Sequence, residues 1–142
     1  MITEIYVPRS SLGSFLQDVR EDFRKNQVDL IYGTIRLIEK DDETFLTWAR
    51  ERYVCIIFNL HIAHTPEGIE QTAGHFRRLI DSAIRYGGSY YLTYHRWASR
   101  EQVEKSYPKF SEFLQVKKRI DPHEVFQSEW YRHYKKMFSG NP

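Results

Sequence analysis

Six side chains in this sequence have the types and spacing for chemistry on a small hydroxylated or anionic molecule: Thr34, Arg36, Asn59, His61, Tyr94 and His95. Arg36 carries a permanent positive charge and a planar fork of donors, which suits a developing anion. Histidine exchanges protons near neutrality, so His61 and His95 are the candidates to orient or deprotonate a hydroxyl. Thr34, Asn59 and Tyr94 add neutral hydrogen-bonding groups and an aromatic surface for a flat ring. Other chemistries have less to stand on. His61 and His64 form an H-x-x-H, but a strand sends them to opposite faces and no third ligand accompanies them, so no metal site is expected. Cys55 lacks a basic neighbour at a helix N-terminus and reads as a buried, inert thiol. Neither a Ser-His-Asp spacing nor a G-x-S-x-G, P-loop or G-x-G-x-x-G pattern is present.

Those side chains need elements to position them. Residues 2–7, ITEIYV, are β-branched and aromatic, and Pro8 stops them as a first strand. Leu12, Phe15, Leu16, Val19 and Phe23 then recur at helical spacing, which predicts an amphipathic helix over about 10–25 with Ser10 or Ser11 as N-cap. From Val28 to Ile38 the period returns to two. Ile31, Gly33, Ile35 and Leu37 share one face, and Leu30, Tyr32, Thr34, Arg36 and Ile38 the other. EKDDE at 39–43 is a charged turn into an irregular arm, FLTWARER. YVCIIFNLHI, 53–62, is a central strand, apolar on both faces until Asn59 and His61. Thr65-Pro66-Glu67 starts a second helix with Ile69, Ala73, Phe76, Ile80, Ala83 and Ile84 as its buried stripe, ended by Gly87-Gly88. SYYLTYH, 89–95, is the last strand, and two short helices at about 99–106 and 109–119 follow it.

The order predicts an α+β fold: a ferredoxin-like βαββαβ antiparallel sheet with two helices on one face plus a C-terminal helical extension, residues 1–98 and 99–142 respectively, in one structural domain. Helices on one side leave the other sheet face solvated or covered by a partner. Thr34 and Arg36 from the second strand, Asn59 and His61 from the third, and Tyr94 and His95 from the fourth are expected to converge there on neighbouring strands. A ligand-binding face, an ordinary half-solvated sheet and a homodimer through the open face all remain consistent with this pattern.

Composition narrows the classes. One hundred and forty-two residues suit a single domain, and 15% aromatic with 28% charged residues allow both a packed core and a solvated surface. A formal charge of +2 is too balanced for a nucleic-acid binder. Tyr90, Tyr91 and Tyr94 could stack bases, but the basic-aromatic strand motifs of an RNA-recognition domain are missing. One cysteine, no apolar run long enough to span a membrane and no signal-peptide pattern at the N-terminus predict a soluble, cytoplasmic protein.

The run from Gly87 to Trp130 carries a resemblance. Gly87-Gly88, Tyr94-His95, Tyr107-Pro108, Phe113 to Arg119 and Asp121-Pro122 to Phe126 follow one another as in the C-terminal end of FAD-linked oxidases of the vanillyl-alcohol oxidase type, especially the aldonolactone and alditol oxidase branch. The upstream run from Tyr32 to Ile62 is similar to the cap-domain segment of the same group. The resemblance implies a cap or substrate domain whose sheet faces the flavin ring, with Arg36 and Tyr94 near cofactor and substrate and a hydroxylated small molecule, a sugar lactone or alcohol, as substrate. It also implies two departures. The family's Glu-x-Arg pair reads Thr34-Ile35-Arg36 here, so only the arginine carries over, and the place of a family lysine on the last strand is taken by Tyr94. The family's FAD-binding domain has no counterpart in these residues. FAD is therefore expected from a separate or missing domain or subunit, without which the chain should be inactive. The alternative is a stand-alone dimeric interaction module without catalysis.

Overall fold

The computed structural model describes residues 1–140. Four strands, β1 (Ile2–Pro8), β2 (Leu30–Ile38), β3 (Tyr53–Leu60) and β4 (Ser89–Tyr90), form one antiparallel sheet in the order β2-β3-β1-β4. With α1 (Leu12–Lys25) between β1 and β2 and α2 (Pro66–Arg85) between β3 and β4, this is the expected ferredoxin-like βαββαβ arrangement. A 3-10 turn, Arg9–Ser11, leads into α1. Three helices follow: α3 (Arg100–Ser106), α4 (Phe110–Ile120) and α5 (Glu129–Ser139).

One face of the sheet is closed. Ile5 and Val7 of β1 and Val54, Ile56, Phe58 and Leu60 of β3 pack against Phe15, Val19 and Phe23 of α1 and Phe76, Leu79, Ile80 and Ala83 of α2. The C-terminal helices join the same core through Val103, Tyr107, Phe110 and Tyr134. Phe110 is fully buried, with its ring 5.1 Å from those of Tyr134 and Phe138. Specific caps set where these helices begin. Thr65 accepts from the Gly68 amide ahead of Pro66, Ser99 and Gln102 form a reciprocal capping box, and Ser128 accepts from the Tyr131 amide. Gln102 also donates to the Arg77 carbonyl at 2.9 Å, which ties α3 to α2.

Gly87 and Gly88 end α2 as expected. Gly87 holds φ at 74°, a left-handed conformation, and a side chain on Gly88 would run into the Tyr6 carbonyl.

Several expectations need correction. The last strand is only Ser89–Tyr90, not 89–95. Its would-be ladder partners are taken: Trp130 Nε1 donates to the Leu92 carbonyl at 3.1 Å, the Tyr107 hydroxyl donates to the Tyr90 carbonyl, and His95 Nε2 occupies the Ile2 carbonyl of β1 at 2.8 Å. The second, third and fourth strands are not successive neighbours, because β1 lies between β3 and β4. A bulge between Leu30 and Tyr32 puts Leu30 opposite Leu60 on the helix side. Ile69 stays exposed in the first turn of α2, and Leu79 is buried instead. A third C-terminal helix, α5, follows the two that were expected in the C-terminal extension.

The arm at 39–52 is irregular but built. Asp41 caps it by accepting from the Glu43 and Thr44 amides, and its own amide donates to the Ala49 carbonyl at 2.8 Å. The loop folds over the second sheet face, where Trp48 meets Tyr6 edge-on at 5.3 Å and Ala49 is fully buried.

Candidate active-site face

The second sheet face is a grid of side chains fixed by register. Arg36, Cys55, Tyr6 and Ser89 lie on one row across the four strands, Thr34, Ile57 and Glu4 on the next, and Tyr32, Asn59 and Ile2 on the third. The arm shields the first row. Tyr6, Tyr53, Cys55 and Ile57 are buried with Ala49, while Thr34 and Arg36 remain exposed.

Glu4 is the hub of this face. Its Oε2 accepts from the Tyr6 hydroxyl at 2.9 Å and from the Cys55 thiol at 3.5 Å, and its Oε1 accepts from the Tyr94 hydroxyl at 3.1 Å. Tyr94 also meets Tyr91 edge-on, with ring centres 4.6 Å apart. Burial pushes the Cys55 thiol up to about 12, with Glu4 adding to the rise and Arg36 opposing it. Such a thiol is protonated and inert near neutrality. The Tyr6 phenol is raised by burial and then by Glu4, and that of Tyr94 by its hydrogen bond to Glu4, again with Arg36 opposing. Both phenols stay neutral donors. Among the described residues Arg36 makes no ion pair; it is exposed on this face, opposite Cys55 in register.

The sequence-derived candidates are therefore divided. Tyr94 contacts Glu4, Thr34 shares the row of Glu4 two strands away, and Arg36 stands on the adjoining row of the same face. Asn59 lies on the same face, but four residues along β3 from Cys55, roughly 13 Å away. His61 lies beyond the strand end. Its Nδ1 stands 3.1 Å from the Asp29 carboxylate, its amide donates to the Asp29 carbonyl, and it is exposed. His95 turns to the helix side. It donates from Nε2 to the Ile2 carbonyl, stacks on Trp97 at 4.5 Å and meets Phe76 edge-on, and burial lowers its pKa. The signal that would have revealed Glu4 and Tyr6 was alternation: Thr3, Ile5 and Val7 take one face of β1, leaving Ile2, Glu4 and Tyr6 on the other.

Two cavities lie beside the face. One of 290 Å³ opens between the arm and the Tyr107-Pro108 turn, lined by Asp41, Phe45, Arg50 and Lys109. A shallow groove of 530 Å³ runs on the helix side between α1 and Leu30 and Phe58. Among the described residues no cluster of three or more His, Cys, Asp or Glu side chains could hold a metal, and no helix is long and apolar enough to cross a membrane.

An FAD site has two chemical requirements, a cradle for the pyrophosphate and a wall for the isoalloxazine. The residues here fit only the second: an open face bearing an exposed guanidinium, neutral phenols and one carboxylate, with no glycine-rich loop opening a helix. Comparison with known proteins bears on this division. No curated protein matches the chain. The sequence profile of the family described as D-arabinono-1,4-lactone oxidase matches residues 1–134, nearly the whole chain and every strand of the sheet. The chain therefore belongs to the D-arabinono-1,4-lactone oxidase family of FAD-linked oxidoreductases.

Proposed function

We propose that this chain forms the cap, or substrate-facing wall, of an FAD-dependent oxidase that acts on a hydroxylated small molecule of the aldonolactone kind. The FAD is held by a separate FAD-binding domain or subunit, in the cytoplasm. When bound, FAD supplies the acceptor for the two electrons removed from a CH–OH carbon. Arg36 lies against the flavin and substrate and stabilises negative charge that develops there. Tyr94 shares that position, and Thr34 supplies a hydroxyl to the same ligand. Asn59 and His61 form the outer edge of the face, where His61 orients a hydroxyl or receives its proton through the ring nitrogen that Asp29 leaves unoccupied. His95 acts from behind, holding the end of β1 in place through Ile2.

The observation that carries this reading is the exposed Arg36 on the same open face as the Glu4–Tyr94 pair, the face this reading assigns to the substrate. Mixing the chain with a separately produced FAD-binding domain should shift the flavin absorbance bands. Arg36→Ala should remove the shift and lower turnover of the lactone about 10²- to 10³-fold, the usual effect of deleting one charge-stabilising group. Absence of both association and spectral shift for the native chain would overturn the reading.

A second reading, a dimeric interaction module without catalysis, is favoured by one feature. Ile31, Ile35 and Leu37 of the edge strand β2 are 57%, 53% and 71% exposed, a row of apolar side chains without cover. Light scattering separates the two, since a tight dimer indifferent to the flavin domain supports the module.

A further inference from the structure

We propose that Glu4 is a positioning residue that turns Tyr94 into an obligate hydrogen-bond acceptor, and that this is how the face recognises a hydroxyl of a hydroxylated lactone. The inference rests on the substrate class proposed above and adds the device that reads it. A phenol has one proton, and Tyr94 has committed its own to Glu4 Oε1 at 3.1 Å. What remains toward the open side is the oxygen lone pairs. A ligand atom meeting Tyr94, which is 47% exposed, must therefore bring the proton itself.

Another polar group on this face has the opposite character. Arg36 is donor-only and never deprotonated, so it donates to an oxygen or an anion. A donor-only group and an acceptor-only group on one face favour a ligand that carries both an acceptor oxygen and a hydroxyl. A hydroxylactone has both. A simple carboxylate lacks the hydroxyl that Tyr94 would accept from.

Glu4 is itself held for this task. Its second oxygen receives Tyr6, which is 1% exposed and clamped edge-on by Trp48, and the Cys55 thiol from β3. Both donors lie on the row shared with Arg36, so the carboxylate is fixed to β1 and to β3, the neighbour of the strand that carries the guanidinium. Register also places Glu4 on the row of Thr34, two strands away and so about 10 Å across the sheet. The carboxylate of this face stands on β1, and β2 contributes a hydroxyl.

The test is nuclear magnetic resonance of the full chain, titrated with D-arabinono-1,4-lactone. Amide signals at 34–36 and 92–95 should move on addition of the lactone. Glu4→Gln keeps the shape of the side chain but gives Tyr6 and Tyr94 an amide in place of two equivalent oxygens. It should weaken binding roughly five- to tenfold, the loss expected for one hydrogen bond. It should also lower the pKa of the Tyr94 phenol, read from its ring carbon, since Glu4 is what raises it. A purely structural role for Glu4 would produce that pKa change without the loss of lactone affinity. Tyr94→Phe, at an exposed position where the fold does not depend on the hydroxyl, should weaken the lactone to the same extent while leaving Arg36 signals in place. The proposal is overturned if the native chain gives no shifts at 92–95, or if Glu4→Gln or Tyr94→Phe binds the lactone as the native chain does. None of these readings needs FAD, so failure of the flavin association above remains a separate result.

Discussion

The two faces of the sheet are built from the same strands and solve different problems. On the helix face, aromatic rings meet in edge-on pairs, Phe23 with Phe58 at 5.5 Å and Phe76 with Tyr90 at 5.7 Å, and almost every side chain from β1 and β3 is buried. On the other face a smaller buried cluster holds Ala49, Tyr53 and Ile57 together with Tyr6 and Cys55, which both donate to Glu4, and cover comes from a short irregular arm rather than a helix. Stability is therefore concentrated on one side and chemistry on the other. Packing that is close everywhere resists any change of shape, whereas a carboxylate reached by three donors holds specific atoms in place.

The largest effect that would test this division is a truncation on the helix face. Phe76→Ala removes a fully buried ring that touches Tyr90, His95 and Trp97, and should lower stability by about 3–5 kcal/mol. Urea unfolding measures it. Loss below about 1 kcal/mol would mean that the helix face is not where the fold is held.

The arm gives a second test, on the other face. Cys55 is 1% exposed beneath it, with its thiol pushed up to about 12, and should react very slowly with a disulfide reagent at neutral pH. Trp48→Ala removes the ring that clamps Tyr6. If about 1.4 kcal/mol of arm contact is lost, the arm opens some tenfold more often and the reaction should accelerate by the same factor. An unchanged rate would show that the hydrogen bonds from the Ser89 hydroxyl to the Trp48 carbonyl and from the Arg50 guanidinium to the Gly87 and Gly88 carbonyls hold the arm unaided.

Acid should act through the helix side. His75, His95 and His133 are each held below the ordinary histidine value of 6.5, all three chiefly by burial. A group whose folded pKa is depressed binds its proton more readily in the unfolded chain, so the folded state loses stability as pH falls through about 6.5 and below. Unfolding midpoints should drop between pH 7.5 and 5.5. His95→Gln, which keeps a donor for the Ile2 carbonyl without a titrating ring, should flatten part of that slope.

Much of this division was legible in the sequence, and the parts that were not share a cause. Period-two and period-3.6 patterns marked β1, α1, β2, β3 and α2, and in all but the edge strand β2 the pattern reflects burial against a regular neighbour. Alternation put Arg36 on the open face, and the resemblance singled out Arg36 and Tyr94. What pattern alone missed were side chains that substitute for backbone. SYYLTYH alternates like a strand, yet Trp130, Tyr107 and His95 take the carbonyls a ladder would have used, and that is a long-range event no local pattern records. His95 was misplaced for a different reason: adjacent residues of a strand point to opposite faces, so Tyr94 on the open side already implied His95 on the helix side, where it meets Phe76. The α5 helix was readable and overlooked: Ser128 caps it, and Trp130, Tyr131, Tyr134, Met137 and Phe138 recur at helical spacing. Glu4 was hidden by its surroundings, a single carboxylate in an apolar run whose partners arrive from β3 and from the turn after β4.

The smallest expected effect concerns β2, the strand that belongs fully to neither face. Register sets Ile35 opposite Ile56 and Leu37 opposite Val54, so both point to the helix side. Yet the two partners are 2% and 1% exposed while Ile35 and Leu37 are more than half exposed, because α1 and α2 lie over β1 and β3 and stop short of the edge. Side chains that bury nothing contribute little to the fold, so Ile35→Lys and Leu37→Lys should each change the unfolding free energy by no more than about 0.5 kcal/mol. A lysine on an edge strand also discourages pairing with another strand. If the double variant folds as well as the native chain but scatters less light, the apolar edge serves contacts with another surface. A destabilisation of several kcal/mol would instead show that the helix layer reaches further over the sheet than its packing indicates, and the contrast between a closed face and an open one would have to be redrawn at β2.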